Sequence, residues 1–248
     1  MGIDLATLAS RRIGLALGGG GPRGIAHISV LRVLNEAGIK PSMVAGTSVG
    51  SLVGAGIAAG KTIEELTKMA RAIFWPKLLN ASGLEAFCRK YLPETFADLQ
   101  MPYAAVAVEI PSMKQVTITD GNLATAISAS CAIPLVRFPV KRNGMRLWDG
   151  GLRCVLPTEV CRELGADFVI SSDVWELGNI MRMLESLPGH EIRKSPFIAN
   201  YKKSQLDSDL LITSAIPLSC FIPGQTAVDR LLKEGEIAAK SALAKLGS

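Results

Sequence analysis

Three stretches of this sequence carry residue types spaced for acyl-transfer chemistry. Gly46-Thr47-Ser48-Val49-Gly50 has the G-x-S-x-G form of a sharp strand-to-helix turn that presents a serine hydroxyl. Met43-Val44-Ala45 supplies an apolar strand before it, and Val49 to Ala59 a small-residue helix after it. A serine so placed meets the unpaired N–H groups of the helix's first turn, where negative charge is favoured. Taken alone, the motif equally describes a glycine-rich turn with an unreactive serine. The second stretch is Gly18-Gly19-Gly20-Gly21-Pro22-Arg23-Gly24, directly after the apolar strand Arg12 to Leu17. Glycines lack Cβ atoms, so their amides can turn toward a ligand. Pro22 has no N–H and leaves that task to its neighbours. Gly19, Gly20, Gly21 and Arg23 are the expected oxyanion hole, with the Arg23 guanidinium locking the loop or adding positive potential.

A serine nucleophile also needs a base. The sequence holds two histidines. His27 shares a helix face with Leu31 and Leu34 and reads as a packing residue, while His190 follows Pro188-Gly189 in a polar segment. Neither comes on a strand that runs into a turn. Asp149 does: the short strand Met145 to Trp148 ends at Asp149-Gly150-Gly151. The expected catalytic pair is therefore Ser48 as nucleophile and Asp149 as base and proton acceptor. A competing reading takes Gly19-x-Gly21-x-x-Gly24 as a dinucleotide fingerprint. That fingerprint expects an acidic residue about 20 positions on, and Met43 to Thr47 contains none. A phosphate loop of the Walker type also fails, because no Lys-Ser or Lys-Thr follows Gly24.

Together, the blocks Gly19-Gly20-Gly21-Pro22-Arg23-Gly24, Gly46-Thr47-Ser48-Val49-Gly50 and Asp149-Gly150-Gly151 resemble the three signature blocks of the patatin-like phospholipases, most strongly the short bacterial members related to neuropathy target esterase. The likeness continues through Ala129-Ser130-Cys131-Ala132-Ile133-Pro134 and Glu163-Leu164-Gly165-Ala166-Asp167. It implies a Ser48–Asp149 dyad without histidine, oxyanion donors in the glycine loop, and hydrolysis of fatty acyl esters of phospholipids or lysophospholipids. With two histidines and no cluster at metal-ligand spacing, no metal site and no cofactor are expected. Pro22, Arg137 and Arg153-Cys154 depart from the family pattern, at positions that bear on the substrate pocket more than on the dyad. Two other classes remain as alternatives: a catalytically silent lipid-binding or regulatory module of the same fold, and a nucleotide-binding α/β enzyme.

The elements that must position these residues follow the chain in strand–helix alternation. Strand 12–17, helix 24–37, the strand and helix around Ser48, strands 103–110 and 115–119, helix 122–131, strand 145–148, helix 157–164 and strand 168–171 imply an α/β fold. The expected architecture is a central, mostly parallel sheet flanked by helices on both faces, a patatin-like three-layer α/β/α arrangement. Thr62-Ile63-Glu64-Glu65 is a capping box that opens a further helix. One domain spans 1–248, with its core at about 12–175, a lid or excursion at 176–225, and a C-terminal helix over 226–246.

Length and composition agree with this reading. The 248 residues are 48% hydrophobic and 20% charged, with a net charge of +5. A chain of that size buries a core without disulfides or metals. The five cysteines contain no C-x-x-C pair and read as reduced thiols. A cytoplasmic protein in peripheral contact with anionic membrane is expected, with no nucleic acid partner, signal peptide or transmembrane segment. The uncharged window 41–60 contains the serine turn itself and is a buried strand–helix unit rather than a span. Lysines mixed with Met181, Met183, Phe197 and Ile198 make 176–205 the expected membrane-facing cover.

Overall fold

A computed structural model describes residues 8, 10–175, 196–216 and 225–246. Eight strands form one sheet: β1 (Ile13–Leu17), β2 (Met43–Thr47), β3 (Tyr103–Ile110), β4 (Lys114–Ile118), β5 (Val140–Arg142), β6 (Met145–Asp149), β7 (Phe168–Asp173) and β8 (Leu210–Thr213). Their order is β5-β6-β3-β2-β1-β7-β8, with β4 also on β3. The run β3-β2-β1-β7-β8 is parallel, while β4 and β6 pair antiparallel to β3, and β5 antiparallel to β6.

Strands β1, β2, β3 and β7 are buried throughout or nearly so, because both faces of the sheet are covered there, while the edge strand β8 is buried only at Leu210 and Ile212. Leu15, Leu17, Val44 and Ile170 point into the larger core, and Ala16, Met43, Ala45 and Val169 into a smaller one on the other face. This alternation is the two-residue period of a strand read from both sides. Over the larger core lie helices α1 (Ala26–Glu36), α2 (Val49–Ala58), α3 (Ile63–Ala72), α4 (Trp75–Leu78), α5 (Ala81–Tyr91) and α6 (Leu123–Ser130). Helix α7 (Thr158–Glu163) closes the smaller core through Val160 and Cys161. Helix α8 (Pro196–Leu206) packs beside α7, and α9 (Gln225–Leu246) lies along α1. The fold is the expected mostly parallel α/β sheet with helices on both faces.

Local chemistry sets the helix boundaries. Thr62 and Glu65 exchange the two hydrogen bonds of a capping box at the start of α3. Asn80 and Asn122 cap α5 and α6. Helix α1 starts two residues later than the sequence pattern predicts, because Gly21–Ile25 is a 3-10 turn with Pro22 in its first turn. Residues 196–206, at the end of the expected cover, form α8. The remainder of the expected cover, 176–195, and His190 with it, lies outside the described residues. No helix among the described residues is long and apolar enough to cross a membrane.

The register of β3 decides where chemistry can happen. β4 spans Ala105–Glu109 on one edge of β3. β2 pairs with Tyr103–Val106 and β6 with Ala107–Ile110, so both must occupy the opposite edge, end to end. β2 runs parallel to β3 and finishes with Thr47 opposite Val106; β6 runs antiparallel and finishes with Asp149 opposite Ala107. Two strand C-termini therefore meet head to head in mid-sheet. Ser48 and Asp149 are placed there by backbone register alone.

Candidate active site

Ser48 sits at φ 54°, ψ −127°, a region that non-glycine residues occupy only under strain. The turn is held from all sides. A Cβ on Gly46 would lie 2.3 Å from Gly50 O, and one on Gly50 would lie 2.3 Å from Leu17 O. Both glycines of G-x-S-x-G are thus demanded by backbone approach, between β2 and α2 in one case and between α2 and β1 in the other. The Ser48 amide donates to Ser130 Oγ at 2.9 Å, and Ser51 Oγ donates to Ser48 O at 2.6 Å. Ser51 and Ser130 are fully buried, whereas the Ser48 side chain keeps some access to solvent.

Asp149 is held with comparable definition. Its amide donates to Ala132 O at 2.9 Å, and its Oδ1 accepts the Gly151 amide at 2.7 Å. Gly150 must lack a side chain, since a Cβ there would come within 2.3 Å of Val106 O. Burial pushes the Asp149 carboxyl up from 3.8 to about 6, against the Ser48 hydroxyl, the Gly151 amide and the Arg137 charge, which all favour the carboxylate. Oδ2 is buried and makes no hydrogen bond of full geometry. The Ser48 hydroxyl is near enough to stabilise its charge, as is the Arg137 guanidinium. A buried carboxylate oxygen of this kind beside a strained serine has the chemistry to accept a proton.

The glycine loop borders this pair. A Cβ on Gly19 would touch Ser48 Cβ at 3.4 Å. The amides of Gly18 and Gly19 are already engaged, to Ser172 O at 3.0 Å and Val155 O at 2.9 Å. The Gly20 and Gly21 amides have no acceptor among the described residues. Donor capacity therefore rests on Gly20 and Gly21 and not on Gly19, whose N–H is spent in anchoring the loop. Arg23 is buried and folds back, its Nε on Gly20 O at 3.2 Å and an Nη on Trp175 O at 3.0 Å, with the guanidinium 5.5 Å from the Trp175 ring centre. Its side chain is a clamp on the loop rather than an oxyanion donor.

His27 is fully buried, with Nε2 2.9 Å from Gly18 O and Nδ1 2.8 Å from Ser172 Oγ. A carbonyl only accepts, so Nε2 carries the proton and Nδ1 accepts from the serine. Burial lowers its pKa to about 4. A neutral imidazole bonded at both nitrogens ties β1 to β7 beneath the glycine loop, and it is not a partner of Ser48.

Two neighbours were not legible as site residues. The Arg137 guanidinium is largely buried, donating to Cys131 O at 3.1 Å and Ser128 Oγ at 2.7 Å, and its charge reaches Asp149. In sequence it is a lone charge among apolar residues 133–138 and a departure from the family pattern, which points to the substrate pocket and not to Asp149. Cys131 lies against Ser51, Sγ to Oγ 3.9 Å; burial and then the Asp149 charge push its thiol up to about 12, so it stays protonated. Among the described residues, no group of three potential metal ligands exists. A small apolar gap of about 20 Å³ lies between α1, α2, α3 and α5, lined by Val49, Ile25, Ile28, Leu52, Met69 and Phe87 among others.

The patatin-like phospholipase family model matches residues 15–162, an interval that contains the glycine loop, Ser48 and Asp149. The chain belongs to the patatin-like phospholipase family. An uncharacterised NTE family protein of Mycobacterium tuberculosis is 36% identical over 177 residues, covering 66% of this chain and 49% of the relative. Neuropathy target esterase sws of Drosophila melanogaster is 32% identical over 188 residues, covering 67% of this chain and 13% of that protein. This chain thus spans about half of the mycobacterial relative and a small part of the fly one. In three dimensions it is similar to VipD from Legionella pneumophila, with a TM-score of 0.62 at 13% identity, over 94% of this chain and 66% of VipD. The type III effector ExoU is also similar, with a TM-score of 0.52 at 13% identity, over 96% of this chain and 53% of ExoU. At such identity the two structures speak for the patatin-like fold alone.

A test of the loop arises directly. Gly20→Ala would place a Cβ 2.7 Å from Val174 Cγ2, so the loop must shift and carry its amides with it. Turnover is expected to fall by roughly the 10²–10³ that accompanies loss of one oxyanion donor. Gly20→Ala combined with Val174→Ala removes the clashing methyl and is expected to recover much of that loss. Unchanged turnover in Gly20→Ala would show that the loop amides do not face the reacting oxygen.

Proposed function

We propose that this protein is a serine acyl hydrolase that cleaves fatty acyl esters of phospholipids or lysophospholipids through Ser48 and Asp149, without histidine. One observation carries the reading: β2 and β6 end head to head on one edge of β3, setting a strained serine against a buried carboxylate with a vacant oxygen. Asp149 takes the Ser48 proton as Oγ attacks the ester carbonyl, and the Gly20 and Gly21 amides hold the oxyanion. The carboxylic acid then returns the proton to the departing alcohol oxygen. Water, deprotonated by Asp149, releases the fatty acid and restores Ser48. A carboxyl titrating near 6 suits both steps better than an ordinary aspartate, because it holds the proton long enough to give it back.

The test is product analysis by mass spectrometry after incubation with a mixed phospholipid extract. Free fatty acid with a matching lyso- or deacylated product is expected. An extract left unchanged, with bound lipid recovered intact on the protein, would overturn hydrolysis in favour of a silent lipid-binding module.

A further inference from the structure

The loop that holds the Asp149 amide also carries a concentrated apolar surface. Immediately after Ala132, whose carbonyl accepts that amide, come Ile133-Pro134-Leu135-Val136-Arg137-Phe138. Four of the eight large hydrophobic side chains exposed among the described residues fall within these six positions, with Leu135 106% and Phe138 92% exposed. Clustering of this kind marks an interaction surface in a way that scattered exposed leucines do not. The loop is also built to show that surface. Its amides at Val136 and Arg137 close back on Ile133 O. Leu135 adopts φ 68°, a left-handed conformation that leucine adopts at a cost. The single charged residue of the six, Arg137, is the one turned inward, onto Cys131 O and Ser128 Oγ. A loop selected for water would have its charge outside and its leucine inside.

The strand that follows the loop supplies the matching charge. Lys141 of β5 lies directly opposite Arg146 of β6. Both are exposed, and neither has a carboxylate partner among the described residues. Like charges facing each other across a strand pair repel, and an anionic layer relieves that repulsion. An apolar loop followed within three residues by a strand pair bearing unneutralised cations fits one occupant best: the surface of an anionic phospholipid membrane, with Leu135 and Phe138 among the acyl chains and the two cations at the headgroups.

We propose that residues 133–138 form a membrane-docking loop that inserts into anionic phospholipid surfaces, with Lys141 and Arg146 on the headgroups, and brings the Ser48 site against the bilayer. The proposal rests on the lipid acyl ester reading for its substrate, but not for its binding. This segment is distinct from the cover expected at 176–205 and is attached directly to Asp149.

The experiment is flotation of the whole chain with vesicles of phosphatidylcholine mixed with phosphatidylglycerol, and with phosphatidylcholine alone. Alongside it run hydrolysis of a water-soluble short-chain nitrophenyl ester and sedimentation velocity without lipid. Wild type is expected to float with the mixed vesicles and less with the neutral ones. Leu135→Asp and Phe138→Asp should each weaken partitioning about tenfold or more, as loss of a buried large apolar side chain implies. Lys141→Glu with Arg146→Glu should abolish the preference for phosphatidylglycerol. Hydrolysis of the soluble ester should be unchanged in all of them. Wild-type partitioning by the loop variants, or a wild type that does not float while it hydrolyses the soluble ester, overturns the docking loop. A wild-type dimer that Leu135→Asp converts to monomer also overturns it and makes this face an interface between copies. Flotation that needs the loop in a protein that hydrolyses no ester keeps the docking loop and removes the hydrolase reading.

Discussion

Ser48→Ala is expected to lower ester hydrolysis by roughly 10⁴–10⁶, the scale at which loss of a covalent nucleophile leaves only binding and oxyanion stabilisation. The fold should survive, because the hydroxyl is not what shapes the turn: Gly46, Gly50 and the Ser48 amide bond to Ser130 do that. A second substitution separates chemistry from strain. Ser48→Gly removes the same hydroxyl but also relieves the φ of 54°, so it should raise stability by about 1–3 kcal/mol, whereas Ser48→Ala keeps the strained backbone. Both variants should be equally inactive. A fluorophosphonate probe should add to Ser48 alone; Ser51 and Ser130 are fully buried, and each already makes a hydrogen bond to the Ser48 backbone. Peptide mapping that places the adduct on either of them, or a Ser48→Ala protein that still turns over, would remove Ser48 from the reaction.

Much of this site is visible in the chain before folding, and the reason is local. G-x-S-x-G encodes a strand, a tight turn and a helix within a dozen residues, and the spacing of small residues states where backbones touch. Strands β1, β2 and β3 are apolar runs bounded by glycine, proline or polar turns, and helix α3 announces itself through Thr62 and Glu65. What is not visible depends on register between segments far apart in sequence. That β6 shares an edge of β3 with β2 places Asp149 beside Ser48 across a hundred residues, and no local pattern encodes it. The partners of the glycine amides are equally distant: Ser172 and Val155 engage Gly18 and Gly19, which is why a loop that looks uniform in sequence leaves donor capacity only at Gly20 and Gly21. Arg137 follows the same rule. Its inward turn is fixed by Ser128 Oγ and the Cys131 carbonyl, and its neighbours are forced outward as a consequence. His27 was readable as a packing residue from its helix face, although its contacts with Gly18 and Ser172 show that it supports the loop as well.

Asp149→Asn should abolish hydrolysis and at the same time strengthen the fold. The carboxyl titrates at about 6 in the folded protein against an ordinary 3.8, with burial as the main cause. A folded-state pKa raised above the unfolded one means that the native state binds the proton more tightly. The stability gained is complete below the unfolded pKa and is lost as pH rises through about 6. At neutral pH and above, the buried carboxylate therefore costs on the order of 3 kcal/mol. Asparagine keeps the acceptor for the Gly151 amide but carries no charge, so the variant should gain stability of about that size at pH 8, and almost none below pH 4. Activity should fall by several orders of magnitude, since an amide cannot take the Ser48 proton. In the wild type, turnover should rise with pH through a single inflection near 6, following the carboxylate. His27 does not share this window, being buried and lowered to about 4, so His27→Gln should cost stability at the Gly18 and Ser172 contacts but leave the inflection in place. The inflection should also stay in place in His190→Gln. An inflection that disappears in either histidine variant, or an Asp149→Asn protein no more stable at pH 8 than the wild type, would mean that Asp149 is not the buried base of this site.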